Sequence, residues 1–257
     1  MEIPEKVYKY RTWYDPNHQR IIKDNELYLS SPKDLNDPFD CKIISDFNLL
    51  LTDEDVNEYI KRFEAKYKVD QSDLKNRFAD RDEFQRNYEK MVIDDVDTYY
   101  GLLSLSCSWN IVSMWYHYSD CYKGFCVGFW EEKLRETGYF DGVGIVDYVP
   151  ELPVMKPNVA TSPYEESFLK RIASRWFTKH IDWINEQEFR LIKNFFLIDP
   201  PYKRAIQIPD NIIAEVILGI NISDNDKTEI IKVCKKKGIH VFQTFIKGSR
   251  FEKEIVE

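Results

Sequence analysis

The sequence predicts an α+β fold: a mixed, largely antiparallel sheet with flanking helices and a helical insertion. Three observations carry this. Short runs rich in β-branched and aromatic residues, several of alternating polarity, recur along most of the 257-residue chain. Few helical patterns separate those runs, so neighbouring strands are expected to pair antiparallel. Residues 52–100 break the pattern and repeat apolar side chains at helical spacing.

In chain order, residues 7–13 (VYKYRTW) alternate and are rich in β-formers, which predicts a strand. Residues 18–25 suit a short helix, and 26–31 (ELYLSS) a second strand. That strand runs into PKDLNDPFD, where Pro32, Asn36, Asp37 and Pro38 break regular structure. A third strand is expected over 41–47. Val56, Tyr59, Ile60, Phe63 and Tyr67 then fall at helical spacing, and a second helix is expected from 72 to 99. Acidic residues outnumber basic ones here, so the insertion reads as a solvated helical face or as a partner surface. LLSLSCS returns to a strand, VSMWYHYSD makes one or two helical turns, and GFCVGFW and GVGIVDYV are two further strands. Tyr164, Phe168, Ile172 and Trp176 predict a helix over 162–180. EQEFRLIKNFF, RAIQIP and EVILGI read as strands. Ser223 caps a helix that runs to Lys237 and ends at Gly238, and HVFQTFIK is expected to be the last strand.

A single domain is expected over 1–257, with the insertion at about 50–100. No apolar run approaches the ~18 residues of a membrane helix. MEIPEKVYKYR has no apolar signal core, so the expected location is cytoplasmic, with no membrane partner. A net charge of −8 argues against broad electrostatic binding of nucleic acid, but not against one nucleotide held in a local pocket. The five cysteines lack zinc-site spacing and read as reduced thiols, so no metal is expected. A Walker loop, a Gly-x-Gly-x-x-Gly turn and a Gly-x-Ser-x-Gly elbow are all absent from the sequence. Several of the 16 Tyr, 16 Phe and 6 Trp stand in polar contexts, where a flat ring could stack on a ligand.

Four clusters carry candidate chemistry. In WINEQEFR, strand periodicity places Glu186 and Glu188 on one face, with Arg190 next along it. Such carboxylates can position a hydroxyl, act as a base or stabilise a developing positive charge; a solvated edge strand has the same pattern. In MWYHYSD, His117 is either catalytic or a satisfied structural histidine, and Tyr118 shares a helix face with Trp115. On the first strand Tyr8 and Tyr10 point one way, and Lys9 and Arg11 the other. Arg11 suits bidentate phosphate contact, or belongs to a solvated basic edge. Ser30 and Ser31 end a strand before Asn36-Asp37-Pro38-Phe39-Asp40, where hydroxyls and turn amides hold an anion or sugar, or simply form a turn.

Taken in order, YKYR, ELYLSSPKDLNDPFD, LSLSCSW, MWYHYSD, KGFCVGF, WINEQEFRLI and EVILGI resemble a bacterial domain family catalogued as of unknown function. The specific part is the combination of NDPFD, MW-x-HY and E-x-E-[WF]-R. Some members look like toxins or anti-phage defence proteins, and the family resembles ADP-ribosyltransferases in fold. The resemblance therefore implies an ADP-ribosyltransferase-like fold and an NAD-dependent mono-ADP-ribosyltransferase, a toxin-like effector that consumes NAD as a substrate. It implies that Glu188 stabilises a ribose oxocarbenium ion, much as carboxylates do in glycoside hydrolysis, and that Glu186 orients the acceptor. Arg11, or else Tyr10, would hold the NAD phosphates. Tyr10, Tyr28 or Phe39 would stack on nicotinamide or close over it. Ser104, Ser106, Ser30 and Ser31 compete to support it, with Asn36 beside the last two. His117 and Tyr118 would close the site or touch the acceptor. The Ser-Thr-Ser triplet of such enzymes is replaced by Leu-Ser-Leu-Ser-Cys-Ser. The expected acceptor is nucleic acid, RNA first, since exposed aromatics stack single-stranded bases without a large basic surface. Protein is the alternative acceptor, and an antitoxin or chaperone partner is expected. Two other classes stay open: a non-catalytic nucleotide-binding sensor of a defence system, and a metal-dependent nuclease built on Glu186, Glu188 and an Asp.

Overall fold

The computed structural model describes residues 2–68, 70–159, 165–198 and 203–256. In chain order its strands and α-helices are β1 (Lys6–Arg11), α1 (Pro16–Lys23), β2 (Glu26–Tyr28), α2 (Asp53–Tyr67), α3 (Gln71–Arg77), α4 (Arg81–Tyr99), β3 (Tyr100–Ser106), α5 (Val112–Tyr118), β4 (Phe125–Trp130), α6 (Glu131–Arg135), β5 (Gly142–Ile145), β6 (Asp147–Val149), α7 (Glu166–Phe177), β7 (Thr178–His180), β8 (Glu188–Asn194), β9 (Ala205–Gln207), β10 (Ile213–Leu218), α8 (Asp224–Lys237), β11 (Val241–Lys247) and β12 (Arg250–Ile255). They fall into two compact units: Met1–Ser30 with Gly101–Val146 and Asp182–Glu257, and Ser31–Tyr100 with Asp147–Ile181. No described helix is long and apolar enough to cross a membrane.

The first unit is built on an eight-stranded sheet of order β12-β11-β10-β4-β1-β3-β8-β5. Its described pairings are antiparallel, except for parallel β10 and β11. The mixed, largely antiparallel α+β architecture is thus present. Central β1 pairs with β4 along its whole length, from Lys6 with Trp130 to Arg11 with Phe125. Against β3 it has one register pair, Tyr8 with Ser106.

Alternation sorts the two faces. Val7, Leu103, Leu105, Phe125, Val127, Phe189 and Leu191 enter the main core, covered by Ile21 and Ile22 of α1, Leu134 of α6, and Ile230 and Cys234 of α8. Tyr8, Tyr10, Cys126 and Ile217 take the other face with Trp115 of α5. There Glu215 is buried, accepting from Tyr8 Oη at 3.1 Å with Lys253 Nζ 2.7 Å away. Gly128 leaves room for this group, because a Cβ would meet Tyr8 Cε1 at 2.9 Å. Asp15 starts α1 by accepting from the Asn17 amide, and Ser223 starts α8 by accepting from the Asp226 amide.

In the second unit, Phe47 sits edge-on to Tyr59, Phe84 and Tyr88 within a buried aromatic cluster. A Thr52–Asp55 capping box opens α2. The NDPFD turn is held by its own side chains: Asp37 Oδ1 accepts from the Phe39 amide at 2.9 Å, and buried Asp40 lies 3.6 Å from Lys179 Nζ.

Several boundaries differ from expectation. Residues 41–47 form no strand: Cys41 has φ 62°, Ser45 makes one isolated bridge, and Asp46 caps a single 3-10 turn that delivers Phe47 to the aromatic cluster. The helix expected over 72–99 is interrupted: α3 ends at Arg77 with Phe78 as its C-cap, and Asp80 then caps α4. GVGIVDYV divides at Val146 into β5 and β6, which join different sheets. In the 162–180 region α7 stops at Phe177 and β7 follows; Tyr164 and the side chain of Phe168 lie outside the described residues. HVFQTFIK is not the last strand. Gly248, at φ 63°, turns the chain into β12, whose charged RFEKEI hides its edge-strand character.

Candidate active site

Within the first unit a cleft of about 580 Å³ opens against β1, α1 and β2. That volume lies in the usual ~300–1,000 Å³ range of small-molecule sites. Lys9 and Arg11 enter it from β1, since alternation turns them away from Tyr8 and Tyr10. The α1 segment adds Asp15, His18 and Arg20; β2 and its end add Glu26, Tyr28 and Ser30.

Lys9 Nζ donates to the Ser104 carbonyl at 2.5 Å. Burial, and then the Arg11 charge, hold its ammonium well below the usual lysine range, against an opposing pull from Glu188 and Glu186. Burial lowers Arg11 to about 10, opposed by Tyr118 and Asp15, so the guanidinium stays charged at neutral pH. His18 places Nδ1 3.0 Å from Thr12 Oγ1 and Nε2 3.5 Å from Asp15. Burial, with Arg11 next, lowers its pKa, while Asp15 and Thr12 raise it. Arg20 donates to Glu26 Oε2 at 2.5 Å, and Gln207 donates to the same oxygen at 3.2 Å. Tyr28 stands at the rim, 57% exposed. Two guanidiniums and one exposed ring suit an anionic ligand with a flat group.

The end of β1 is fixed from behind. Asp120, Cys121 and Tyr122 all have positive φ, and the loop they form presses Gly124 against β1. A Cβ at Gly124 would lie 2.1 Å from the Arg11 carbonyl oxygen.

Arg11, Tyr28 and Ser30 are the sequence-derived candidates that line this cleft. Tyr10 lies on the other face, 2% exposed, donating to the Ser108 carbonyl at 2.8 Å with its ring edge-on to Trp115. Buried Ser106 donates to the Glu186 carbonyl at 2.8 Å. Tyr118 donates to Glu186 Oε1 at 2.5 Å. Glu188 is 3% exposed, and Arg190 grips both its oxygens, at 2.7 and 2.8 Å. Phe189 and Leu191 enter the core, so Glu188 and Arg190 take the opposite face of β8. The expected pairing of Glu186 with Glu188 on one strand face is not found. Glu186 ends a 3-10 helix over Ile181–Glu186 and Gln187 has φ 44°, so strand period begins only at Glu188. Neither carboxylate lines the cleft, although both charges act on Lys9. His117 is exposed and edge-on to Tyr116. Ser31, Asn36 and Phe39 belong to the second unit, where Ser31 donates to the Asp97 carbonyl at 2.7 Å and Phe39 is 65% exposed.

His18, Arg20 and Glu26 escaped sequence reasoning. The available signal was the Ile21–Ile22 pair, which fixes the buried side of α1 and so which neighbours face outward.

Among the described residues no group of three His, Cys, Asp or Glu is placed to hold a metal ion. A family model described as a protein of unknown function, DUF2971, matches residues 114–191. This agrees with the resemblance to a domain family of unknown function. The matched stretch includes His117, Tyr118, Glu186, Glu188 and Arg190, and leaves out β1 and α1. No curated protein and no solved structure matches the chain.

Proposed function

We propose that the cleft binds NAD and that the chain is an NAD-dependent mono-ADP-ribosyltransferase of ADP-ribosyltransferase-like fold. The supporting observation is a nucleotide-sized cleft with Arg11 at its back and the charges of Glu186 and Glu188 reaching its other β1 side chain, Lys9. On this reading Arg11 holds the pyrophosphate and Tyr28 stacks on nicotinamide. The C–N bond between ribose and nicotinamide breaks, and nicotinamide leaves with the electron pair. Glu188, which Arg190 holds outside the cleft lining, has to turn toward the ribose to stabilise the oxocarbenium ion. Glu186, held by Tyr118, takes the acceptor's proton as its nucleophile bonds to the ribose carbon. The acceptor is nucleic acid, RNA first, and a toxin-like cytoplasmic role brings an antitoxin partner with it.

The test uses NAD labelled on the adenylate phosphate, with RNA, single-stranded DNA or lysate protein as acceptor. The full chain should transfer label to one polymer; Glu188→Gln and Arg11→Met should lose at least about 100-fold. Unchanged turnover in folded Glu188→Gln would end the assignment. One observation favours a second reading: both oxygens of Glu188 are occupied by Arg190, outside the cleft. A non-catalytic nucleotide sensor would bind NAD through Arg11 and never release nicotinamide.

A further inference from the structure

We propose that Lys9 is a carbonyl-reactive amine, forming an imine with an aldehyde-bearing phosphate ester that Arg11 holds in the cleft. Lys9 and Arg11 are two residues apart on β1, so both side chains leave the same side of the strand and line the same 580 Å³ space. Among the described residues, the partner of Lys9 Nζ is the Ser104 carbonyl, not a carboxylate. A neutral amine that donates one N–H to a carbonyl keeps its lone pair for attack. Burial, and then the Arg11 charge, disfavour the ammonium and outweigh the opposing charges of Glu188 and Glu186. Desolvation beside a second cation is the arrangement that activates lysine toward carbonyl carbons. Arg11 stays cationic and supplies the phosphate contact.

The step balances without an oxidant or a metal. The amine lone pair bonds to the aldehyde carbon, and the carbonyl oxygen takes up the proton that nitrogen loses. The carbinolamine then expels water to leave the imine. Ring-opened phosphorylated sugars have this chemistry. ADP-ribose, which NAD cleavage would release, is one of them. The inference rests on the cleft itself, so a chain that never cleaves NAD would still form the imine.

The probes are pyridoxal 5′-phosphate, pyridoxal without phosphate, ribose 5-phosphate and ADP-ribose. Each is incubated with the full chain at neutral pH and trapped with borohydride, and the modified peptides are mapped by mass. Lys9 should carry the pyridoxal 5′-phosphate adduct at least about tenfold faster than the average surface lysine. Pyridoxal should react about tenfold more slowly there, and inorganic pyrophosphate should protect. Arg11→Met, checked for fold by circular dichroism, should lose the preference for phosphate. An ADP-ribose adduct would identify a nucleotide sugar as the ligand; adducts with only the smaller esters would identify a sugar phosphate. Label spread over surface lysines with Lys9 unmodified would overturn the proposal, as would equal labelling by pyridoxal with and without phosphate. Mass mapping of the parent chain reads the site directly, so the result does not depend on a Lys9 variant folding. Nicotinamide release is measured separately, and its absence would count only against the transferase.

Discussion

Glu188→Gln tests the buried ion pair as well as the chemistry. Glu188 and Arg190 are 3% and 0% exposed, and two short hydrogen bonds join them. Glutamine keeps one acceptor oxygen but removes the charge, leaving the guanidinium uncompensated by this neighbour. Breaking a buried pair from one side costs about 3–5 kcal/mol, and the retained oxygen places this change near 3. In a chain of this size each kcal/mol moves the midpoint by about 2–4 °C, so Tm should fall by roughly 6–12 °C. Differential scanning calorimetry reads this directly. Replacing both partners, Glu188→Leu with Arg190→Met, should recover most of the loss, because apolar side chains of similar volume often match a buried pair. The double-mutant cycle should show coupling of at least about 2 kcal/mol. A Glu188→Gln midpoint within about 1 °C of the parent would refute the idea that the two charges depend on each other. Turnover assays on this variant belong well below its midpoint, where loss of label transfer reports on the reaction and not on unfolding.

Gly124→Ala should be severe, costing several kcal/mol or preventing folding, since the new methyl would lie 2.1 Å from the Arg11 carbonyl; soluble yield and urea denaturation check it. Ser223→Ala removes the hydroxyl that caps α8 and should cost about 1 kcal/mol by urea titration. His18 has a lowered pKa, so the unfolded chain binds its proton more readily; this contribution makes stability rise with pH across the interval from the folded pKa up to the ordinary value near 6.5. Below that interval the imidazolium adds a cation to the cleft, so pyrophosphate affinity by calorimetry should increase on acidification, and His18→Gln should flatten that increase.

Elements whose local and tertiary preferences agree were legible in the sequence. α8 has its Ser223 cap, its apolar spacing and its closing Gly238, and it stands where expected. β1 was legible, and with it the opposite facing of Tyr10 and Arg11, which alone separates a core side chain from a cleft side chain. Glu186 was misread because a strand pattern was extended through Gln187, and a single left-handed residue resets the period without leaving a mark in composition. Residues 41–47 read as a strand because Ile43, Ile44 and Phe47 are β-formers; tertiary demand from an aromatic cluster decided otherwise. The α1 contribution to the cleft depends on how one short helix rotates against the sheet, which two isoleucines decide and local propensity does not.

The lone register pair between β1 and β3 gives the sheet an edge in its interior. Strand rims normally belong to the periphery, where solvent satisfies them. Here the chain adds a side-chain contact: Lys9 of β1 donates to the Ser104 carbonyl of β3. Among the described pairings β1 meets β3 at Tyr8 and Ser106 alone, against six register pairs with β4. A junction this sparsely paired opens at lower free energy than the full β1–β4 ladder beside it. Amide exchange should find β1 protected where it faces β4 and permeable where it faces β3. A molecule lying in the seam would then meet main-chain donors and acceptors as well as side chains.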